Sequence, residues 1–300
     1  MKIIRHPHKE KLHRPVVALG TFDGVHRGHQ KIITAAVKCA RRIKSHSAVI
    51  TFDPHPQEII VPERGLRLLT TLREREGLLA ELGVDSVIVF NFNRRLQQMP
   101  YADFVERFLV KRLGVRWVFV GYDYAFGRER KGSVEELRRI GARSGFGVTV
   151  IPPVKVDGKP VKSGRIRELI SSGEFAQALK MLGHPYRING KVVKGEGRGK
   201  QLGFPTANLK IDKRKLIPAQ GVYVGLVDGK KCVVNIGSHP TFGGDHCLVE
   251  VHLLNFKGNL KGKLLAVDLF RRLRDEKQFS DAEELRSQIK KDIVCAQGMC

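Results

Sequence analysis

The first half of the chain alternates short apolar runs with longer stretches whose apolar residues recur every three or four positions. Val16–Leu19, Ala48–Phe52, Ser86–Phe90, Trp117–Val120 and Val148–Ile151 are the short runs. Their length and near-continuous apolar character predict strands buried on both faces. Between them, residues 26–43, Leu72–Leu82, Ala102–Leu113 and Val134–Ser144 carry helical spacing. In the first of these helices Ile32, Ile33, Ala36, Val37 and Ala40 share one face. Strand and helix in strict alternation predict an α/β domain of Rossmann-like build, a parallel sheet covered by helices.

After a helix at Glu174–Leu182 the pattern changes. Arg187–Lys194, Gly221–Val227, Lys231–Ile236, Leu248–Phe256 and Lys263–Arg271 read as strands separated by glycine-containing turns, and Asp228-Gly229 is a hairpin signal. One helix, Asp281–Ala296, follows, with Ser280 as the expected N-cap and Glu283 at the capping-box position. Close-spaced strands followed by a helix predict a small antiparallel β-barrel with a C-terminal helix. The boundary is expected at Gly183-His184-Pro185, giving domains 1–184 and 185–300.

Charge adds a constraint on partners. Lys and Arg total 54 against 30 Asp and Glu, a net of +24. The excess favours anionic ligands. It is spread over both halves: 21 basic and 12 acidic residues lie from Tyr186 onward, 33 and 18 before it. A dedicated nucleic-acid stripe would concentrate the charge and interleave aromatics, which make up only 7% here. No apolar run is long enough to span a membrane. The segment MKIIRHPHKEKLHRP has no apolar core of the secretory kind. Cys39, Cys232, Cys247, Cys295 and Cys300 form no C-x-x-C pair, so a reducing cytoplasm is the expected compartment. No sequence feature specifies an oligomeric state.

The segment GTFDGVHRGHQ, Gly20–Gln30, joins the first strand to the first helix. Open α/β sheets bind ligands beyond the carboxyl ends of their strands. His26 and His29, three residues apart at a helix start, place two imidazoles on one face, and Gly28 leaves room for a ligand against the backbone. A helix N-terminus adds attraction for phosphate, and two imidazole donors there can stabilise charge on a phosphorus undergoing transfer. A metal pair or a surface coincidence reads the same spacing. TFDPHP, Thr51–Pro56, follows the second strand at the same sheet edge; VGYDYAFGRERKG, Val120–Gly132, adds Asp123, which a loop-capping role would also explain.

These pieces resemble the adenylyltransferase half of the bacterial bifunctional riboflavin kinase/FMN adenylyltransferases, also called FAD synthetases, which are nucleotidyltransferases with an H-x-G-H motif. The resemblance implies that His26 and His29 contact the ATP phosphates. It also implies that Gly20 and the Phe22-Asp23-Gly24 loop border the nucleotide, with Asp123 near it. The family's S-S-T-x-I-R phosphate-binding stretch reads Lys162-Ser163-Gly164-Arg165-Ile166-Arg167 here. Ser163 and Arg167 match as nucleotide-binding residues; Lys162 and Gly164 depart from the pattern.

In the second half, GEGRGKQLGFPTANL, Gly195–Leu209, is glycine-rich but fails both the P-loop and the G-x-G-x-x-G spacing, since Gln201 follows Lys200. Thr206 and Asn208, two residues apart in an extended segment, offer hard oxygen ligands to one side, which suits Mg²⁺; a plain turn would read the same way. In CLVEVHLLNF, Leu248, Glu250 and His252 alternate with Val249, Val251 and Leu253. Taken alone, that pattern turns Glu250 toward solvent. The resemblance changes the weight, because GFPTAN, GVYVG (221–225), NIGSHPTFG (235–243), VEVHLLNF and LRDEKQF (273–279) follow the order of the family's riboflavin kinase module. It implies Thr206 and Asn208 on the Mg²⁺–ATP complex, with Gly195, Gly203, Phe204 and Pro205 around the nucleotide. It implies Glu250 as base for the riboflavin 5′-hydroxyl and Arg274 near the flavin. The implied function is phosphorylation of riboflavin to FMN and adenylylation of FMN to FAD. The implied ligands are ATP, Mg²⁺ and the flavins, with no membrane or nucleic-acid partner. An H-x-G-H ligase of the aminoacyl-tRNA synthetase kind stays open, although no K-M-S-K-S-like loop is present; so does a basic nucleic-acid-binding protein.

Overall fold

The computed structural model describes residues 1–5, 12–195, 197, 199, 202–241 and 244–298, and of 238–241 and 244–247 only the strand course. It divides into two compact units, Met1–Ser163 and Gly164–Cys300.

The first unit is built on a six-stranded sheet with order β1-β4-β3-β2-β5-β6. The strands are β1 (Lys2–Ile4), β2 (Val16–Leu19), β3 (Ser47–Phe52), β4 (Ser86–Phe90), β5 (Trp117–Gly121) and β6 (Gly147–Ile151). Every pairing is parallel. Successive residues of one strand serve opposite cores. Val17 and Leu19 of β2 join Ile50, Ile88 and Val118 on one face; Val16 and Ala18 join Val49, Val87 and Phe119 on the other. This double burial is why these strands read as continuous apolar runs. The edge strand β1, only three residues long, carries too short a pattern to be read from sequence.

Helices cover both faces. α1 (Arg27–Arg42) buries Ile32, Ile33, Ala36, Val37 and Ala40, the face its spacing predicts. α2 (Pro56–Ile60) follows β3, α3 (Leu72–Glu81) precedes β4, and α4 (Arg94–Gln97) follows it. The single helix expected at Ala102–Leu113 is instead α5 (Tyr101–Phe104) running into a π-helical stretch, Val105–Arg112. There the Leu113 N–H donates to the Phe108 carbonyl at 3.0 Å, one residue further back than in an α-helix. α6 (Val134–Ser144) precedes β6, and a two-residue hairpin pair, β7 (Lys155–Val156) and β8 (Lys159–Pro160), closes the unit.

The second unit is a closed antiparallel barrel with order β10-β13-β12-β11-β14-β9. Its strands are β9 (Tyr186–Val193), β10 (Ala207–Ile211), β11 (Gly221–Val227), β12 (Lys230–Thr241), β13 (Gly244–Leu253) and β14 (Leu264–Arg274). Two short helices precede it, α7 (Ser163–Ser171), which starts at the unit boundary, and α8 (Phe175–Leu182). Phe175 packs edge-on against Tyr186 and Tyr223, at 6.3 and 5.1 Å between ring centroids. The Ala219 N–H donates to the Ile170 carbonyl at 3.2 Å. The two helices that precede the boundary expected after residue 184 thus pack on residues of the barrel unit.

The last helix, α9 (Ala282–Gln297), lies against the barrel through Ile293 and Ala296, which meet Val224, Val233, Leu254 and Leu273. Its N-cap is Asp281, not Ser280. The Asp281 carboxylate accepts the N–H groups of Glu283 and Glu284 at 2.9 and 2.8 Å. Both bonds end on Oδ1, and the carboxylate's negative charge also suits the positive end of the helix dipole. Ser280 instead donates its hydroxyl to Glu284 at 2.9 Å.

Candidate active sites

The first site forms at the carboxyl end of β2. His26 is the N-cap of α1 rather than its first helical residue, and its Nδ1 accepts the His29 N–H at 3.3 Å. A neutral ring that accepts at Nδ1 carries its proton at Nε2. The two imidazoles stack, with centroids 3.5 Å apart and planes 17° apart. Gly28 suits this stack, because a Cβ there would stand tightly against the His26 ring, at 3.1 Å. The Phe22 ring meets His29 edge-on at 5.3 Å and covers Gly20 so closely that a Cβ there would lie 3.0 Å from it. His29 is held well below the usual histidine range, first by burial and then by the neighbouring His26 and Arg75. Its Nδ1 is buried and has no hydrogen-bond partner among the described residues. A neutral imidazole with an unmet polar atom is poised for a ligand rather than for core packing.

Asp23 sits beneath this loop, fully buried. Its carboxylate accepts the N–H groups of Leu69 and Thr70 at 3.1 and 2.8 Å and the Thr70 hydroxyl at 3.0 Å. The Gly24 N–H donates to the same hydroxyl at 2.9 Å. Asp23 thus fastens the loop to the segment before α3. Ser163, 140 residues later, donates its hydroxyl to the Asp23 carbonyl at 2.9 Å, so the loop and the stretch 162–167 are in contact. Asp123 faces Lys162 at 3.6 Å, with the ammonium 6.0 Å from the Tyr122 ring centre. The charge of Lys162 is therefore matched by a carboxylate. Arg167 lies on α7, in the second unit. His55 of TFDPHP caps α2 in a reciprocal pair with Glu58.

The second site is a cleft of about 750 Å³ on the barrel, between the glycine-rich segment and α9. Within β13, Val249, Val251 and Leu253 are buried, at 1%, 0% and 8% exposure. Leu248, Glu250 and His252 face the cleft instead of open solvent. The alternation fixed the face, but only the tertiary fold shows that α9 walls it. Asn208 and Asn235 are the cross-strand neighbours of Glu250 on either side, and the Thr206 hydroxyl donates to Glu250 Oε1 at 3.3 Å. Thr206 precedes β10 rather than lying in it, yet both it and Asn208 converge on Glu250. A Cβ at Gly195 would overlap the Asn208 amide, which makes glycine the residue that fits there. Pro205 is held by His252, whose Nδ1–H donates to its carbonyl at 2.9 Å, and Phe204 packs edge-on against the same imidazole. Gly203 lies exposed in the turn before Phe204. Lys200, Gln201 and the Phe242-Gly243 step lie outside the described residues.

Arg274 lines the same cleft and forms a forked pair with Asp292 of α9, Nη2 to Oδ2 at 2.7 Å and Nε to Oδ1 at 3.1 Å. Gln288 donates to Asp292 at 2.9 Å. Asp292, Asn235 and His252 were missed from sequence. Asp292 had a signal: with Leu285 and Ile289 it forms one helical face, an acid in an apolar stripe.

Two family models match the chain, FAD synthetase over residues 8–165 and riboflavin kinase over 182–300. The bifunctional riboflavin kinase/FMN adenylyltransferase of Pseudomonas fluorescens is 39% identical over 100% of this chain and 98% of its own. The chain belongs to that family. The protein of the same name from Escherichia coli (strain K12) is 36% identical, covering 94% and 91%. A crystal structure of a Streptococcus pneumoniae protein named a macrolide-efflux protein superposes with a TM-score of 0.88, at 28% identity and 99% coverage of both chains. The efflux name belongs to that protein. Among the described residues here, no helix is long and apolar enough to cross a membrane. As a bifunctional riboflavin kinase/FMN adenylyltransferase, the chain has one module for each unit described above, the FAD synthetase module on the parallel sheet and the kinase module on the barrel.

Proposed function

We propose that the barrel cleft is the riboflavin kinase site and the His26–His29 loop the FMN adenylylation site of this FAD-synthesising enzyme, with the side chains acting as follows. In the barrel, Glu250 takes the proton of the riboflavin 5′-hydroxyl. That oxygen bonds to the γ-phosphorus of ATP as the bond to the β-phosphate oxygen breaks, giving FMN and ADP. Little covalent help is needed, so positioning and charge carry the step. The observation that carries this reading is the convergence of the Thr206–Asn208 pair with Glu250, 44 residues beyond Thr206, on one face of the cleft. Their hydroxyl, amide and carboxylate oxygens are the donors a Mg²⁺ ion prefers. Thr206 and Asn208 would hold the ion that arrives with ATP, where it neutralises phosphate charge. Phe279, Leu285 and Ile289 offer an apolar wall to the flavin ring, with Arg274 at its polar edge.

At the first site, an FMN phosphate oxygen bonds to the α-phosphorus of ATP and pyrophosphate leaves. His26 and His29 donate hydrogen bonds to the phosphate oxygens as charge builds. Asp23 works from below by holding the loop, and Ser163 and Lys162 stand at its edge. The reading also has the enzyme work in the cytoplasm, supported by five cysteines that form no C-x-x-C pair. Site-directed separation of the two reactions tests the assignment: His29→Ala should abolish FAD formation from supplied FMN and leave riboflavin phosphorylation intact. Loss of both, or of neither, rejects it.

A further inference from the structure

The adenylylation chemistry uses the imidazoles at the mouth of the first site and leaves a cation beneath it unexplained. Arg75, in the first turn of α3, is 2% exposed. Arginine is almost never buried so far without a task for its charge. Its Nη1 donates to Thr51 Oγ1 at 2.9 Å and to the Phe52 carbonyl at 3.3 Å, and its Nη2 to the Thr70 carbonyl at 3.3 Å. Each threonine passes the contact on to the phosphate loop. Thr51 donates to the Thr21 carbonyl at 2.8 Å. Thr70 binds Asp23 and the Gly24 N–H. One fork therefore reaches both ends of a loop in which Phe22 and Val25 adopt left-handed backbone, φ 51° and 39°. For a β-branched residue such as Val25 that conformation is strained, and it persists only where the surroundings enforce it.

The same cation acts electrostatically on His29. The groups facing that imidazole are His26, stacked on it, the Phe22 ring edge and the Arg75 charge. On α3 itself Glu76 lies within reach of Arg75, and it is also influenced by Arg5, Arg73 and Asp53.

We propose that Arg75 is a positioning residue for FMN adenylylation: its buried fork fixes the strained loop that presents His26 and His29, and its permanent charge backs His29 where the polyphosphate binds. The inference rests on reading this loop as the adenylylation site. Charge and fork are separable, because an ammonium keeps the first but cannot span three acceptors on two chain segments. They have different signatures. Loss of the charge lets His29 take a proton at higher pH, so the acid limb of the FAD-forming reaction moves toward neutrality. Loss of the fork misplaces the loop and lowers turnover without moving that limb.

The test compares Arg75→Met and Arg75→Lys in the full-length chain. It measures kcat, KM for ATP and the pH profile of FAD formation from FMN, follows His29 by ring-nitrogen NMR, and uses riboflavin phosphorylation as the control for folding. Arg75→Met is expected to lose roughly 10²-fold in kcat/KM and to shift both the acid limb and the His29 titration upward, with kinase activity unchanged. Arg75→Lys is expected to keep the wild-type limb and lose kcat. A soluble Arg75→Met with wild-type limb and His29 titration overturns the proposal, as does an Arg75→Lys with wild-type kcat. If Arg75→Met yields no soluble chain, the lysine variant alone decides. His29→Ala separates the two levels: if it spares FAD formation, the site reading itself fails; if it abolishes FAD formation while the Arg75 variants behave as wild type, only the role of Arg75 fails.

Discussion

Glu250→Gln isolates the chemical step of the kinase from its binding. The substitution keeps the shape of the side chain and an amide oxygen where Oε1 stands, so the Thr206 hydroxyl, 3.3 Å away, keeps its acceptor. The cross-strand neighbours Asn208 and Asn235 are untouched. What disappears is the capacity to take a proton. A positioned base contributes about 10²–10⁴ in rate, equivalent to roughly 3–5.5 kcal/mol in the activation barrier. The expected result is a fall of that size in kcat for FMN formation, with KM for ATP nearly unchanged. FAD formation from supplied FMN is expected at the wild-type rate, because its site lies on the other unit. The assay is chromatographic separation of riboflavin, FMN and FAD at saturating ATP. A variant with wild-type kcat, or one that loses both reactions equally, would refute the reasoning.

Three further outcomes follow from particular contacts. Asp292→Asn removes the partner of a largely buried Arg274, whose side chain is 17% exposed. Breaking a fully buried pair costs about 3–5 kcal/mol, and the residual exposure lowers this to about 2–3 kcal/mol; a lower melting temperature and a raised KM for riboflavin are expected, and unchanged values of both would contradict it. Asp23→Asn keeps one acceptor oxygen and sets its amide N–H₂ against the N–H of either Leu69 or Thr70, so FAD formation should fall while riboflavin phosphorylation persists; equal loss in both assays would mean a global defect. A fragment starting at Gly164 should be soluble and phosphorylate riboflavin, whereas one starting at Tyr186 exposes Tyr186 and Tyr223 by removing Phe175, at about 1.5–3 kcal/mol for each large side chain. Equal thermal stability of the two fragments would show that α7 and α8 do not support the barrel.

Much of this was legible in the sequence where a local pattern and the tertiary environment agree. The central strands of the parallel sheet are nearly continuous apolar runs because both faces are covered, and α1 shows its buried stripe directly. The H-x-G-H spacing located the imidazole pair. What escaped depends on contacts across long separations. Asp23 reads as a loop residue at the site, and only the fold reveals that its carboxylate is engaged by Leu69 and Thr70 from below. Arg75 sits in a charged stretch, Arg73 to Glu76, that looks like a solvated helix face, yet its fork ends on threonines and a carbonyl of other segments. Glu250 was correctly placed on the face opposite Val249 and Val251, but whether that face met solvent or a cleft depended on α9. At Ser280-Asp281 two good capping residues stand side by side, and local sequence does not choose between them.

The most direct test of two independent sites on one chain is complementation between single variants. Glu250→Gln and His29→Ala are each incubated with riboflavin, ATP and Mg²⁺, alone and mixed, and the flavins are separated over time. The account predicts that Glu250→Gln alone leaves riboflavin largely unconverted and that His29→Ala alone stops at FMN. The mixture is predicted to make FAD, because FMN released from one variant is adenylylated by the other. A mixture that makes no FAD while the wild-type chain does, or either variant making FAD from riboflavin alone at the wild-type rate, would contradict it.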